Sequence, residues 1–254
     1  MRTEPRFLLL LPLAALLACG SSATPATQSL DGNWEVQGVM SGALLLNGAI
    51  QGQGSQYTGT FANADIPCSP PVINFTGTVD SAGDLNLTSN FVQLSLPTVA
   101  PSDPQENAVG TLSGGGYLCQ TTFSTPITGT LIAPLTGTYS GTTIETASTL
   151  VSPIPTATIS LALIQSAAPN TNGQFPVSGS LTFTGGGCSQ LIQVGGTVNG
   201  VGVALVSIGS NAVTIAAATN PAASQIIPNS ILFSPAPCAS GNSSSTYAGV
   251  LTLQ

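Results

Sequence analysis

Basic side chains are almost absent from this chain of 254 residues, which contains no histidine and has basic groups only at Arg2 and Arg6. A surface without lysine or arginine cannot neutralise phosphates, so nucleic acid and anionic membrane surfaces are excluded as electrostatic partners. Without histidine or lysine, no general base is available to activate a serine or cysteine nucleophile. A phosphate-binding loop, which depends on its lysine, is excluded as well.

Charge of either sign is scarce, since only 4% of the residues are charged whereas 42% are hydrophobic. That hydrophobic content, with a low net charge per residue, argues against a disordered chain. The 29 glycines and 19 prolines suit short strands joined by many turns. No stretch has a helical apolar period with caps, so we expect almost no helix.

Paired carboxylates are the catalytic device that this composition leaves available. The candidate pairs are Asp31 with Glu35, and Asp80 with Asp84, which could serve an acid hydrolase. We expect Glu35 to lie on the first strand facing water, and Asp80 and Asp84 to flank a turn, where aspartate is common. Calcium at Asp80 and Asp84 is the metal alternative, although the spacing is not that of an EF-hand loop. We therefore predict no catalytic, cofactor or metal site, and no enzyme.

The N-terminal region has the order of a secretory signal: basic residues, an apolar run over 7–17, and a small residue before a cysteine. Its Leu16-Leu17-Ala18-Cys19 resembles the lipobox of bacterial lipoproteins. The resemblance implies removal of residues 1–18, lipidation (palmitate) of Cys19 and a membrane tether. An ordinary signal peptide with a chance cysteine is the alternative.

Residues 19–29 are mostly small and polar, which predicts a flexible tether. Gly20 and Ser21 lack the aspartate that marks inner-membrane retention in the best-known lipoprotein system, so the resemblance implies the outer membrane. We expect a protein of the cell envelope, anchored by lipid and facing the periplasm or the exterior.

An internal duplication organises the rest of the chain. Short glycine- and threonine-containing segments and cysteines recur at an offset of about 120 residues, a period that means duplicated domains or two halves of one domain. The matches are Gly59 with Gly179, Cys68 with Cys188, Gly77-Thr78-Val79 with Gly196-Thr197-Val198, Cys119 with Cys238, Gly129-Thr130-Leu131 with Gly249-Val250-Leu251, and the segment around Trp34 with that around Tyr139. The predicted units are residues 30–133 and 135–254.

Four cysteines remain beside Cys19, an even number that indicates disulfides outside the cytoplasm. Each copy contains an early and a late cysteine, so the duplication favours Cys68–Cys119 and Cys188–Cys238. Zinc is the alternative, but the chain has neither histidine nor paired-cysteine spacing.

Both copies alternate large apolar with polar or small residues, as in Trp34–Val39, Ile73–Val79 and Thr158–Leu163. This period of two is typical of half-buried antiparallel strands. We read Asn199-Gly200 as a two-residue hairpin turn and 201–219 as two strands around Gly209-Ser210-Asn211, not as a membrane span. The predicted fold is all-β: two antiparallel meander units, each a small barrel or sandwich.

Two resemblances bear on these units. The opening Gly32-Asn33-Trp34 is similar to the first strand of lipocalin- and avidin-like barrels. The whole chain resembles glycine- and threonine-rich, two-copy secreted lipoproteins of acidobacteria-like bacteria, a group without an assigned activity. Neither resemblance implies a catalytic residue.

Aromatic side chains are the candidates for ligand binding, because rings can stack on sugars or line the mouth of a barrel. They are Trp34, Tyr57, Tyr117, Tyr139 and Tyr247, for which a core position is the alternative. The leading hypothesis is a non-enzymatic, membrane-tethered structural or interaction module with a protein or polysaccharide partner. The alternatives are a barrel that binds a small apolar or sugar ligand and, more remotely, a carboxylate-dependent acid hydrolase.

Overall fold

The computed structural model describes residues 30–254 except 40–42, 64, 67–68, 82, 91, 98–107, 115–121, 151, 210–211 and 239–242. These residues contain seventeen strands and no helix, as the alternating pattern predicts. The first eight strands are β1 (Gly32–Val39), β2 (Ala43–Gln53), β3 (Gln56–Asn63), β4 (Val72–Val79), β5 (Leu85–Thr88), β6 (Val92–Leu96), β7 (Ala108–Gly114) and β8 (Phe123–Ile132). Each pairs antiparallel with the next, and β8 pairs with β1, so they form a closed barrel, barrel 1.

The second unit, barrel 2, repeats this arrangement. Its strands are β9 (Gly137–Ser148), β10 (Thr156–Gln165), β11 (Phe175–Gly185), β12 (Cys188–Asn199), β13 (Gly202–Ser207), β14 (Ala212–Thr219), β15 (Gln225–Ser234), β16 (Ser245–Ala248) and β17 (Leu251–Leu253). Strands β16 and β17 follow one another between β15 and β9, and β9 also pairs with β10, which closes the ring. The all-β, duplicated antiparallel fold is therefore confirmed.

The duplicated glycines occupy the same strands in the two barrels. Gly77 lies on the fourth strand of barrel 1 and Gly196 on the fourth strand of barrel 2. A Cβ atom at these positions would lie 1.8 Å from the carbonyl oxygen of Asn86 and 1.9 Å from that of Ala204. Only glycine permits the neighbouring strand to approach so closely, as closed small barrels require.

The sequence match between Gly129-Thr130-Leu131 and Gly249-Val250-Leu251 differs by two residues from the strand pairing in the structure. Trp34 pairs with Leu131, but Tyr139 pairs with Leu253 and not with Leu251. The register against β9 is continuous across residues 249–250, since Ala248 pairs with Ile144 and Thr252 with Ser140; the register shift on this edge lies between Thr246 and Tyr247.

Both barrel interiors are filled by apolar side chains. Many have no accessible area at all and therefore contact no water-sized void; they include Val36, Leu46, Ile50, Phe61 and Leu112 in barrel 1, and Tyr139, Leu181, Phe183, Leu205, Phe233 and Tyr247 in barrel 2. Edge-to-face ring contacts occur in both cores, with ring centroids 5.7 Å apart for Phe61–Phe75 and 5.5 Å for Phe183–Tyr247. The described interiors are packed cores.

Two turns test the hairpin predictions. Strands β13 and β14 pair as expected for residues 201–219. The expected Asn199-Gly200 turn is shifted by one residue, because Asn199 pairs with Gly202 and leaves Gly200-Val201 as the central residues. Gly200 has φ 55°, which suits the first central position of a type II′ turn, where glycine is preferred.

Candidate functional site

One end of barrel 2 packs against the outer wall of barrel 1, and we call this the docking contact. Asn33, on β1, donates from Nδ2 to the Gly200 carbonyl oxygen (2.7 Å) and accepts from the Gly200 amide at Oδ1 (2.8 Å). Asn33 points away from the barrel 1 core, yet it is only 1% exposed because the β12–β13 turn covers it. A reciprocal pair of buried hydrogen bonds fixes the position of the two barrels precisely.

The side chain of Glu35 belongs to the same contact. The expectation that Glu35 faces water is wrong: it does point outward from barrel 1, but barrel 2 leaves it only 6% exposed. Its Oε2 accepts from the Val201 amide (3.3 Å), and its Oε1 accepts from Gln37 Nε2. This carboxylate therefore has a structural role in holding the β12–β13 turn.

Two glycines permit the close approach of the barrels. Gly173, with φ 77°, lies in the loop between β10 and β11, and a Cβ there would lie 2.0 Å from the carbonyl oxygen of Thr60 on β3. A Cβ on Gly200 would lie 2.2 Å from Oδ1 of Asn47 on β2. Ala49, between them on β2, is 2% exposed and joins the apolar cluster of barrel 2. The docking contact thus spans β1, β2 and β3.

Beside this contact, the two barrels enclose a cleft of about 430 Å³. Barrel 1 contributes the start of β1, the end of β2 and the end of β8, while barrel 2 contributes the end of β10 and the start of β11. The linker residues Ala133 and Pro134 complete the lining. Clefts of this size at a domain junction are common places for small ligands, whose pockets occupy roughly 300–1,000 Å³.

The linker wall of this cleft is held by hydrogen bonds. The side-chain Oε1 of Gln165 accepts from the Leu135 backbone amide (2.8 Å), and the backbone amide of Gln165 donates to Thr136 Oγ1 (3.3 Å). The Ala133 amide donates to the Pro221 carbonyl oxygen (2.8 Å), in the connection between β14 and β15. The cleft is therefore preformed, since the linker is bound both to the end of β10 and to the β14–β15 connection of barrel 2.

The first predicted carboxylate pair does not form an acid–base site. Asp31 accepts from the Gly52 amide at the end of β2, whereas Glu35 lies in the docking contact. Four residues of extended chain separate their Cα atoms by about 13 Å. The two carboxylates are therefore engaged with different backbone amides, Gly52 for Asp31 and Val201 for Glu35.

The second pair, Asp80 and Asp84, lies in the connection between β4 and β5, as expected. Asp80 accepts from the Asp84 amide (3.0 Å) and from Asn86 Nδ2 (3.1 Å). These hydrogen bonds shape the turn, which is the usual role of aspartate in such a position. Within the described residues, no three histidine, cysteine, aspartate or glutamate side chains cluster as metal ligands would.

The predicted binding aromatics are placed in the cores. Trp34 Nε1 donates to the Leu30 carbonyl oxygen (2.8 Å), Tyr139 OH to that of Ala223 (2.8 Å) and Tyr247 OH to that of Ile154 (3.2 Å). Tyr57 is half-buried against the barrel 1 core, and Tyr117 lies outside the described residues. The N–H or O–H group of each of these three rings thus donates a hydrogen bond to a backbone carbonyl oxygen at the end of a barrel.

Burial changes the acidity of two of these tyrosines. It raises the pKa of Tyr139 above the ordinary value of 10.0. The pKa of Tyr247 is also raised, first by burial and then by the negative charge of Glu145, while Ser245 opposes the change. Both phenols therefore stay neutral donors at physiological pH.

One of the two predicted disulfides is confirmed. Cys188 at the start of β12 and Cys238 beyond the end of β15 are bonded, with Cα atoms 6.3 Å apart. Cys19, Cys68 and Cys119 lie outside the described residues, so the lipobox and the Cys68–Cys119 pair stay predictions.

Comparison with known proteins found no matching family model, no matching curated protein and no matching solved structure. In the part of the chain that the structure describes, no helix has the length and hydrophobicity needed to cross a membrane. The docking contact and the cleft are features that sequence reasoning missed. The signal that could have found them is the polar pair Asn33 and Glu35 on the outer face of β1, which has no counterpart in the second copy at Thr138 and Ser140.

Proposed function

We propose that this protein is a lipid-anchored, non-enzymatic interaction module of the cell envelope, whose second barrel offers an uncharged surface to a protein or polysaccharide partner. The proposed anchor is Cys19, followed by the tether over 20–29. The observation that carries the proposal is the exposed surface of barrel 2. Between 137 and 254, the only carboxylate or basic side chain is Glu145.

The surface of barrel 2 also has an apolar row, which we define as Ile164, Val206 and Ile208. Ile164 and Val206 lie in line across the sheet, because Ile164 pairs with Ser178, Ser178 with Gly195, and Gly195 with Val206. The side chain of Ile208 lies over Gly195. The three apolar residues are 67%, 53% and 65% exposed.

Exposed apolar side chains on one face of a sheet, here with Ser178 and Gly195 between Ile164 and Val206, support an interaction surface. Since no charge contributes to this row, its binding should change little with ionic strength. The placement of the described carboxylates also supports a non-catalytic function, because Glu35 holds the docking contact and Asp80 shapes a turn.

The anchor is tested by labelling bacteria that express the full chain with a clickable palmitate analogue. We expect the wild-type chain to be labelled and to sediment with membranes, and Cys19→Ser to lose both properties. Ser21→Ala is the matched control, since it changes a residue next to the proposed anchor and leaves Cys19 and the Cys188–Cys238 disulfide intact. Label that persists in Cys19→Ser would refute the anchor.

The interaction surface is tested by co-sedimentation of residues 20–254 with purified cell-envelope fragments. We expect the double variant Ile164→Thr, Val206→Thr to reduce the bound fraction, at low and high salt alike. Ile144→Thr is the control, because Ile144 is 62% exposed on β9 and lies outside the row. Equal binding by the two variants, or binding abolished by salt, would count against the apolar row.

A further inference from the structure

We infer that the cleft between the barrels binds a small organic cation, an ammonium group attached to an apolar body. The site goes beyond the proposed surface interaction, because it lies at the junction of the barrels and not on the apolar row. Its volume of about 430 Å³ falls in the range of pockets for small molecules, roughly 300–1,000 Å³.

The apolar body follows from the walls. Leu131, Ala133, Pro134 and Ala167 line the cleft, and each is at least partly exposed. Covering such surface with an apolar group removes it from water, which favours binding by about 25 cal/mol for each Å² buried. A ligand that is polar all round would gain nothing from these walls.

The positive charge follows from Asp31, the charged side chain of the lining. Asp31 is exposed, and its carboxylate is positioned by the hydrogen bond from the Gly52 amide. The chain has no basic side chain after Arg6, so the cleft offers an anion nothing to pair with. The charge of the site is therefore complementary to a cation and repels an anion.

A sugar fits these walls less well. Sugar sites usually present an exposed aromatic face for stacking, but the aromatic residue of this lining, Phe175, is only 3% exposed. The walls otherwise consist of aliphatic side chains, backbone and amide groups, with the Asp31 carboxylate and the Ser166 hydroxyl. They suit an alkyl or aryl group better than a ring of hydroxyls.

A ligand in the cleft would couple the two barrels. Asp31 and Leu131 belong to barrel 1, whereas Ala167 and Phe175 belong to barrel 2. A molecule that contacts both walls binds only while the barrels are docked, and it therefore stabilises the docked arrangement by mass action. Slower hydrogen exchange at the Gly200 and Val201 amides would report this coupling.

The test uses three probes with a similar apolar body and different charge: 2-phenylethylammonium, 2-phenylethanol and 3-phenylpropanoate. Each is titrated into residues 20–254 and followed by amide NMR shifts and calorimetry. We expect saturable binding of the cation, with shifts at residues 131–134 and 165–167. The alcohol should bind roughly fivefold more weakly, the size expected for an exposed charge pair, and the carboxylate more weakly still.

Two variants and one control separate the parts of the inference. Asp31→Asn keeps an oxygen for the Gly52 amide and should bring the cation down to the affinity of the alcohol. Asp84→Asn, which removes the same charge in the β4–β5 turn, should leave binding unchanged. Ala167→Phe fills the cleft from an exposed position and should abolish binding of every probe. Equal affinity of the three probes, shifts confined to other regions, or no saturable binding would overturn the inference.

Discussion

Replacing Gly173 by alanine should separate the two barrels while leaving each folded. The new Cβ would lie 2.0 Å from the Thr60 carbonyl oxygen, a backbone atom of β3 that cannot move aside by changing a rotamer. The clash is most easily relieved if the barrels part. When the barrels separate, the two Asn33–Gly200 hydrogen bonds and the hydrogen bond from Val201 to Glu35 are broken. At about 1 kcal/mol each, these hydrogen bonds contribute roughly 3 kcal/mol to the free energy of docking.

Gly187→Ala is the matched control for backbone strain. Gly187 has φ 78°, close to the 77° of Gly173, but no atom lies within 4 Å of its Cβ position. In both variants the free energy of unfolding should fall by roughly 1–2 kcal/mol, because alanine replaces glycine at a position with left-handed backbone conformation. Only Gly173→Ala should lose the docking contact in addition.

Hydrogen exchange and small-angle scattering measure the outcome. In Gly173→Ala we expect fast exchange at the Gly200 and Val201 amides, a larger radius of gyration, and unchanged exchange in the cores of both barrels. Gly187→Ala should resemble the wild type in all three. If the two variants behaved alike, the close approach of Gly173 to β3 would not hold the barrels together, and the reasoning would be wrong.

Three further predictions concern single side chains. Asn33→Ala leaves both backbone groups of Gly200 unpaired and should lower the free energy of unfolding by roughly 2–4 kcal/mol, whereas Asn86→Ala, which removes three hydrogen bonds that are all exposed to water, should change the urea midpoint less. Cys188→Ser opens a disulfide with a sequence separation of 50 and should cost about 4 kcal/mol in the chain-entropy model; an unchanged midpoint would contradict this. Because the pKa of Tyr247 is raised above 10.0 in the folded state, its contribution to stability is complete below that value and is lost as the pH rises through the folded pKa. Tyr247→Phe should therefore show a smaller loss of thermal stability in alkali than the wild type, and parallel curves would refute the assignment.

The fold was predictable because it depends on local alternation and on duplication. Residues such as Val36, Phe61 and Phe75 alternate with polar or small neighbours, and the structure places all three in a core. The sequence offset between Gly77 and Gly196 by itself aligns the fourth strands of the two barrels. The alternation and the duplicated segments can both be read from short stretches of sequence, so they can be recognised without knowledge of tertiary contacts.

The site was not predictable because it depends on contacts far apart in the chain. The pattern of β1 correctly places Glu35 on the outer face of barrel 1. What buries it is the turn at Gly200-Val201, whose hydrogen bond to Glu35 spans 166 positions. Period-two alternation distinguishes the faces of a strand, but it cannot say whether another barrel covers the outer face.

The two copies differ in the residues that form the docking contact. A contact between one end of a barrel and the wall of the next is heterologous, so identical copies could repeat it into an open filament. The walls of the two barrels differ at the positions of the docking contact, because Asn33 and Glu35 of barrel 1 correspond to Thr138 and Ser140 of barrel 2. The ends differ too, since the short β12–β13 turn of barrel 2 corresponds to the longer β4–β5 connection of barrel 1, which contains Asp80 and Asp84. The wall of barrel 2 therefore lacks the polar pair that receives the turn, and the β4–β5 connection of barrel 1 lacks the two-residue form of the turn that inserts.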